Sequence, residues 1–418
     1  MSSHDDRGVI ADDAVLPAAA HLTGPHVSSV LAPAVAAAGL ELTWCRPSQV
    51  QYRPGSDLVV RFRAGVRSCR GNGTETLLAA TTSEGPPSGT LQVEAVAADG
   101  TSLRVGVWRW PFDPVLVALE HVVRPDRARE LLGDQVGHAP RIEVVAYRPT
   151  ERAVIRIDPA DGRKQFYVKV VAPSAVDSLL QRHERLGRAG LPVPRIRSSG
   201  PGWVAMEALA GPTLRDRLKA VERPWPSLRA FAGLLDRLVT VDPDGFGAAR
   251  SPLVDAPQHA AMLATVLPSE GDRLARIGDR LREASEPSRP RDLLVHGDLH
   301  EAQLVVDGDR IVGMLDVDDV GAGDPLEDVA TLVGHLLSRA TTAERDGAHI
   351  REYAEQLRVG LTAGDDPRTV DHAIAATLVG LATGPFRVQQ DDWERTTRDH
   401  LDLIERLLDR RRRPRDRR

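Results

Sequence analysis

The densest run of chemically capable side chains lies between Leu294 and Val329, LVHGDLHEAQLVVDGDRIVGMLDVDDVGAGDPLEDV. Two short apolar runs, Leu304–Val306 and Ile311–Leu315, flank a turn built on Asp307-Gly308-Asp309, which predicts a hairpin. The cluster His296 to Gln303 leads into that hairpin and Asp316 to Asp319 leads out of it, so antiparallel pairing brings both clusters to one end. Carboxylates held that close repel one another unless a cation or an acceptor hydroxyl is shared between them. A Mg²⁺ site is made in this way, from one or two carboxylates and an amide oxygen, with phosphate oxygens completing the octahedron. Phosphoryl transfer needs two further parts: a carboxylate that orients the attacking hydroxyl and a lysine that neutralises nucleotide phosphates. Asp298, Gln303 and Asp316 are the residues whose types and order suit the first three roles.

With those residues in place, the text resembles the aminoglycoside phosphotransferase and choline kinase-like superfamily, relatives of the protein kinases. That family carries a His-Gly-Asp-x-x-x-x-Asn loop and then an Asp-containing metal motif. His296-Gly297-Asp298 matches the loop, Asp316-Val317-Asp318 the metal motif, and Gly323-Asp324-Pro325 with Asp328 the usual continuation. The resemblance implies Asp298 as catalytic base, Asp316 as chief Mg²⁺ ligand, Asp318 as a second ligand, and His296, Asp324 and Asp328 as supports of the loop. It also implies ATP with Mg²⁺ and a small-molecule hydroxyl acceptor. Gln303 stands where most of the family has Asn; its amide oxygen is one methylene further out but ligates Mg²⁺ equally well. Maltokinase-like and glucosamine kinase-like branches are similar in using Gln here.

The fourth part is a lysine, and there are few to choose from. Among 54 basic residues only Lys164, Lys169 and Lys219 are lysines. A chain so biased toward arginine keeps a lysine mainly by accident or where a compact ammonium is needed. Lys169 lies in Phe166-Tyr167-Val168-Lys169-Val170, an apolar-flanked strand in which an ammonium is costly unless paired. It is the expected phosphate-binding lysine, while Lys164 and Lys219 read as turn and helix-surface residues. By resemblance its partner is a glutamate on the following helix; Glu184 is the expected one, with Asp177 and Gln181 as the other candidates. The turn Pro149 to Arg152 occupies the place of the phosphate-covering loop, without its glycines. Trp203–Glu207 and the following Ala208-Leu209-Ala210-Gly211 are similar to the family's interlobe linker. There the backbone of Glu207, Ala208 and Leu209 would pair with adenine and Met206 would line the pocket; a plain buried strand and turn accounts for the same letters.

The elements that must position these groups follow from periodicity and turn residues. A short helix over 26–38 precedes β runs at 49–52, 58–62, 76–80, 90–96 and 103–108. A second β stretch covers 141–171, a helix 174–188 and a strand 203–207; beyond that the pattern is mainly helical, interrupted by the β island 293–315. The fold class expected is α+β: a bilobal protein-kinase-like fold, β-rich N-lobe and helical C-lobe, preceded by an additional β-rich N-terminal module. The expected units are a cap-like module at 1–135, the N-lobe and linker at 136–210, the C-lobe at 211–409 and a basic tail at 410–418. A faint echo joins the module to the N-lobe: Tyr52-Arg53-Pro54 with Val59 and Arg61 reappears as Tyr147-Arg148-Pro149 with Val154 and Arg156. Only the second copy leads to a lysine.

Composition narrows the partners. A net charge of −5 offers no global basic field for nucleic acid. Two cysteines, Cys45 and Cys69, are too few for a disulfide framework, and no apolar stretch of about 18 residues suggests a membrane span. A cytoplasmic kinase of a small molecule is expected, with an aminoglycoside-like or sugar-like acceptor. Asp365-Asp366 and Asp391-Asp392 with Trp393 could face a polycation, whereas the extra module and Gln303 are similar to the maltokinase-like sugar kinases. The rival from another class is a catalytically silent nucleotide-binding scaffold. Trp108, Trp110 and Phe112 read as packing rather than as a ligand platform.

Overall fold

The computed structural model describes residues 10, 13–68, 71–83, 87–96, 102–136, 139–160, 164–285, 290–343 and 346–410. Cys69 and the basic tail beyond Arg410 lie outside the described residues. Two five-stranded antiparallel sheets fill the amino-terminal half. Helices α1 (Ala19–Thr23) and α2 (Val27–Ala37) lead into β1 (Leu40–Arg53), β2 (Asp57–Ser68), β3 (Gly73–Thr82), β4 (Leu91–Val96) and β5 (Ser102–Arg109), in the order β1-β2-β3-β5-β4. Helices α3 (Leu119–Val122) and α4 (Pro125–Leu132) lead into β6 (Arg141–Arg148), β7 (Arg152–Asp158) and β8 (Phe166–Val170). After α5 (Val176–Arg188) come β9 (Ile196–Gly200) and β10 (Trp203–Glu207), and the order is β6-β7-β8-β10-β9.

The two sheets have the same strand succession, so the echo heard in one hairpin extends through a whole unit. A carboxylate at the head of each unit repeats its work. Asp13 accepts from the amides of Val15 (3.0 Å), Leu16 (3.1 Å) and Gly55 (2.8 Å) and from the Tyr52 hydroxyl (2.9 Å). Asp113 accepts from the amides of Val115 (2.9 Å), Leu116 (3.0 Å) and Thr150 (2.9 Å) and from the Tyr147 hydroxyl (2.9 Å). Each carboxylate thus ties the start of its unit to the tip of that unit's first hairpin. Two differences separate the copies. Val59 faces Thr81 in the first sheet where Val154 faces Lys169 in the second, and residues 83–90 join β3 to β4 where the second unit inserts α5.

The segment between the two sheets packs largely with the second. Leu116, Leu119, Val122, Ala128 and Leu132 share a core with Ile155, Ile157, Phe166, Val168 and Val170 of the second sheet, and Leu77 of the first sheet packs against its edge.

The carboxy-terminal half is helical around two short β ladders. It contains α6 (Leu214–Ala220), α7 (Leu228–Val239), α8 (Pro252–Val266), α9 (Gly271–Ala284), β11 (Leu293–Val295), β12 (Leu304–Asp307), β13 (Arg310–Met314), β14 (Gly321–Gly323), α10 (Pro325–Thr342), α11 (Gly347–Leu361), α12 (Pro367–Ala382), α13 (Gly384–Arg387) and α14 (Trp393–Leu408). Leu332, Val333 and Leu336 of α10, Ile374, Leu378 and Val379 of α12, and Leu401 and Ile404 of α14 are all buried. A Cβ at Gly334 would stand 2.8 Å from Thr377 Cγ2, so glycine is what lets α10 lie so close to α12. β12 pairs with β13 around the Asp307–Asp309 turn, and β11 pairs with β14, so the segments on either side of the hairpin converge. Among the described residues no helix is long and apolar enough to cross a membrane.

Candidate active site

The loop after β11 is held by groups buried beneath it. His296 is fully buried; its Nε2 lies 2.9 Å from the Leu315 carbonyl, and its Nδ1 accepts from the Asp298 amide at 3.3 Å, which fits a neutral ring protonated on Nε2. Asp328, on the first turn of α10, accepts from the amides of His296 (2.7 Å) and Gly297 (2.9 Å). Asp324 caps α10 by accepting from the Leu326 amide at 3.0 Å. Gly297 has φ 79°, and a Cβ there would lie 2.4 Å from the Asp319 carbonyl oxygen, so no other residue fits that crossing. Asp298 is presented half-exposed at the end of this scaffold.

Opposite it sits Asp316, a non-glycine residue at φ 54°. Such a conformation stores strain and marks a position fixed for what its side chain does. Lys169 Nζ donates to Asp316 Oδ1 at 2.5 Å and to Asp318 Oδ1 at 2.6 Å. Arg152 approaches Asp316 Oδ2 at 3.1 Å, and the Gln303 amide lies 3.4 Å from the same oxygen. Burial alone would raise the Asp316 carboxyl, but Lys169 and Arg152 outweigh it and hold the group far below the usual carboxylate range. The Lys169 ammonium therefore occupies the place between two carboxylates where a cation belongs. Asp316, Asp318 and Gln303, with its amide turned oxygen inward, form an oxygen donor set that suits Mg²⁺.

Glu184 is not the partner of Lys169. It is exposed and paired with Arg188. The reason is helix phase: α5 buries Val176, Leu179, His183 and Leu186, and Glu184 lies roughly 120° round the helix from that face. Asp177 and Gln181 are exposed as well. The polar residue on the inner face is His183, whose Nδ1 lies 3.0 Å from the Pro194 carbonyl; burial and then the Lys169 charge push its pKa down. The linker residues follow directly on the lysine sheet. Val204 of β10 faces Lys169, Met206 faces Tyr167 and is half-buried, Glu207 is exposed with its amide bonded to Arg195, and Ala208 and Leu209 are half-buried beyond it. Lys164 and Lys219 are exposed.

Two groups at the site, Glu301 and His335, were not singled out by sequence reasoning. Buried Glu301 accepts from Arg215 Nε at 2.9 Å and stands 3.5 Å from the rings of both His300 and His335, which stack at 4.2 Å. Burial alone would lower the pKa of His300, but Asp298 and Glu301 on either side raise it to about 9. Ligand atoms of Asp298, His300 and His335 lie within 4.8 Å of one another. The Ala302 amide donates to His300 Nδ1 at 3.2 Å, and His300 Nε2 is turned toward Asp298 at 3.7 Å. Burial would raise Asp298, yet His300 outweighs it and keeps the carboxylate ionised, as a hydrogen-bond acceptor must be. His335, thirty-odd residues on and inside an apolar helix, carries no local signal of this role.

Trp108 and Trp110 fall into the packing, whereas Phe112 is exposed. Trp108 donates from Nε1 to the Tyr147 hydroxyl at 3.2 Å, and Trp110 meets the Tyr147 ring edge-on at 4.7 Å. Asp366 and Asp392 flank the starts of α12 and α14, and Trp393 is buried against Phe386.

Residues 150–363, just over half of the chain, match the family model described as the Phosphotransferase enzyme family, and the chain belongs to that family. The matched region starts at the tip of the β6–β7 hairpin and leaves the first unit outside it. No curated protein matches the chain. Among solved structures it is similar to the apo form of a thermostable mutant of aminoglycoside phosphotransferase APH(4)-Ia, at 18% identity and a TM-score of 0.47 over 67% of this chain and 97% of that one. It is also similar to an ethanolamine kinase of Plasmodium vivax, at 12% identity and 0.44 over 66% and 85%. A third is aminoglycoside phosphotransferase APH(3'')-Id of Streptomyces rimosus, solved with ADP and streptomycin, at 21% identity and 0.40 over 66% and 95%.

Proposed function

We propose that this protein is a small-molecule kinase that uses ATP and Mg²⁺ to phosphorylate a hydroxyl group. The observation that carries the reading is Lys169 held between Asp316 and Asp318, with Gln303 beside them and Asp298 ionised on the adjoining loop. Asp316, Gln303 and Asp318 would hold the metal, which when bound neutralises charge developing on the transferred phosphoryl group. Lys169, displaced from the carboxylates, is placed to grip the nucleotide phosphates, with Arg152 at the covering turn. Asp298 orients the acceptor hydroxyl and takes its proton. Glu207, Ala208 and Leu209 would offer backbone to adenine and Met206 its side chain. The Gln at 303 and the added amino-terminal unit favour a sugar-like acceptor over an aminoglycoside-like one.

The test pairs binding with turnover. Asp298→Ala is expected to lower acceptor-dependent ADP release by roughly a hundredfold or more, the scale of a lost general base. The thermal stabilisation given by ATP and Mg²⁺ should persist in the variant. Full turnover in Asp298→Ala would refute the assignment of the base.

A further inference from the structure

A glutamine at 303 must be held in a way that an asparagine need not be. Its side chain has one more torsion to immobilise, and its amide can present either oxygen or nitrogen to Asp316 with no change of shape. The backbone of Gln303 is fixed on both sides: its N–H donates to the His300 carbonyl at 2.9 Å, and its carbonyl accepts from the Leu315 amide at 2.8 Å. The end of the side chain lies between two groups, with Nε2 3.2 Å from His300 Nε2 and 3.4 Å from Asp316 Oδ2. What the imidazole carries on its Nε2 therefore decides which way the amide turns.

His300 is itself firmly held. It is 7% exposed, and its ring lies parallel to that of His335 on α10, with planes 4° apart and centroids 4.2 Å apart. The Ala302 amide donates to its Nδ1 at 3.2 Å, and Glu301 stands 3.5 Å from the same atom. A ring that accepts on Nδ1 has its proton on Nε2, and a ring protonated on both nitrogens has one there too. Two donors facing each other across so short a gap repel, so the Gln303 amide turns its oxygen to the ring rather than its NH₂. That oxygen then also faces Asp316 Oδ2, and two oxygens so close call for a cation between them.

We propose that His300 is a positioning residue for Gln303: its Nε2–H holds the glutamine amide with Oε1 toward Asp316, while His335, the Ala302 amide and Glu301 fix the ring. The proposal rests on the kinase reading above and adds to it the group that orients one of the three metal-holding side chains. Asp298 Oδ2 is 3.7 Å from the same ring nitrogen, beyond hydrogen-bond length, so the amide is the nearer partner. Glutamine in place of asparagine is then workable because a neighbour removes the freedom that the extra methylene brings. Partners that orient a metal-holding side chain in this way are worth about 10–100-fold in metal affinity.

The test uses the full chain with saturating ADP and reads the Mg²⁺ concentration that half-saturates the added thermal stabilisation, so chelation by the nucleotide is common to every variant. Two substitutions split the ring between them. His300→Gln keeps an N–H donor near the position of Nε2, whereas His300→Asn keeps only an acceptor near that of Nδ1. His300→Asn should need about tenfold more Mg²⁺ or beyond, and His300→Gln less than about threefold more, with the affinity for metal-free ADP within about twofold of wild type in both. If His300→Asn does not fold, His300→Phe takes its place, since it keeps a ring against His335 and lacks the donor. In a Gln303→Ala background the same change at His300 should have no further effect on the Mg²⁺ requirement, because the ring acts through that amide. Equal Mg²⁺ requirements in the donor-keeping and donor-lacking variants overturn the proposal, and so does a loss that persists undiminished in Gln303→Ala. A fall in acceptor turnover at saturating Mg²⁺ with the metal requirement unchanged also overturns it, by assigning the ring to Asp298 instead. The kinase reading fails separately and in the wild type, if Mg²⁺ adds nothing to the stabilisation by ADP; the proposal falls with it, since no metal is then left for Gln303 to hold.

Discussion

Replacing Asp113 by alanine removes the one acceptor shared by four donors: the amides of Val115, Leu116 and Thr150 and the hydroxyl of Tyr147. Asp113 is 6% exposed, so these donors have little water to turn to. A buried donor left unsatisfied costs about 1–3 kcal/mol, and water entering the vacated space recovers part of the total. The expected loss is roughly 3–5 kcal/mol, comparable to removing one partner of a buried charged contact. Asp13 is an internal control, since it accepts the corresponding four bonds but at a more open site, where the donors can be rehydrated. Asp13→Ala should therefore cost only about 1–2 kcal/mol. Urea unfolding followed by tryptophan fluorescence measures both, and hydrogen exchange at the Thr150 amide reports the local effect. That amide caps the tip of the phosphate-covering hairpin, so its exchange should accelerate in Asp113→Ala and not in Asp13→Ala. Equal losses in the two variants, or unchanged protection at Thr150, would refute the argument that burial sets the difference.

Two other outcomes follow from the site. Lys169→Arg, conservative in a chain so rich in arginine, should raise the KM for ATP by about tenfold or more, because a planar fork cannot stand between Asp316 and Asp318 as a compact ammonium does; unchanged ATP kinetics would contradict this. His300 should titrate near 9 by NMR. Because that lies above its ordinary value of about 6.5, the stabilisation it gives is full below that pH and is lost as pH rises through about 9. Glu301→Gln should bring the value down, and a wild-type value below 7 would remove the imidazolium from the account.

The convergence of Asp298, Gln303 and Asp316, the proposed base and metal residues, was legible because they share one stretch of sequence, where a hairpin must bring them to one end. Lys169 was legible for a compositional reason, the scarcity of lysine. What stood against it on α5 was not, because the choice among Asp177, Gln181 and Glu184 depends on helix phase, set by which of Val176, Leu179 and Leu186 are buried. The internal repeat showed itself only in one hairpin. Its other shared anchors, Asp13-x-Val15-Leu16 and Asp113-x-Val115-Leu116, sit at an offset of 100 rather than the 95 of the hairpin, so a fixed-offset comparison passes over them.

The first unit also differs from the second in what its sheet carries. With Thr81 where the second unit has Lys169, and no helix among the described residues between β3 and β4, its sheet lacks the charge and the helix that accompany the site in the other copy. Its contacts point elsewhere. Arg61 donates to the Tyr147 carbonyl at 2.7 Å, Trp108 donates to the Tyr147 hydroxyl, and β1 packs against α13. The same unit thus holds the tip of the β6–β7 hairpin, which carries Arg148 and Arg152, and the short helix that carries Arg387.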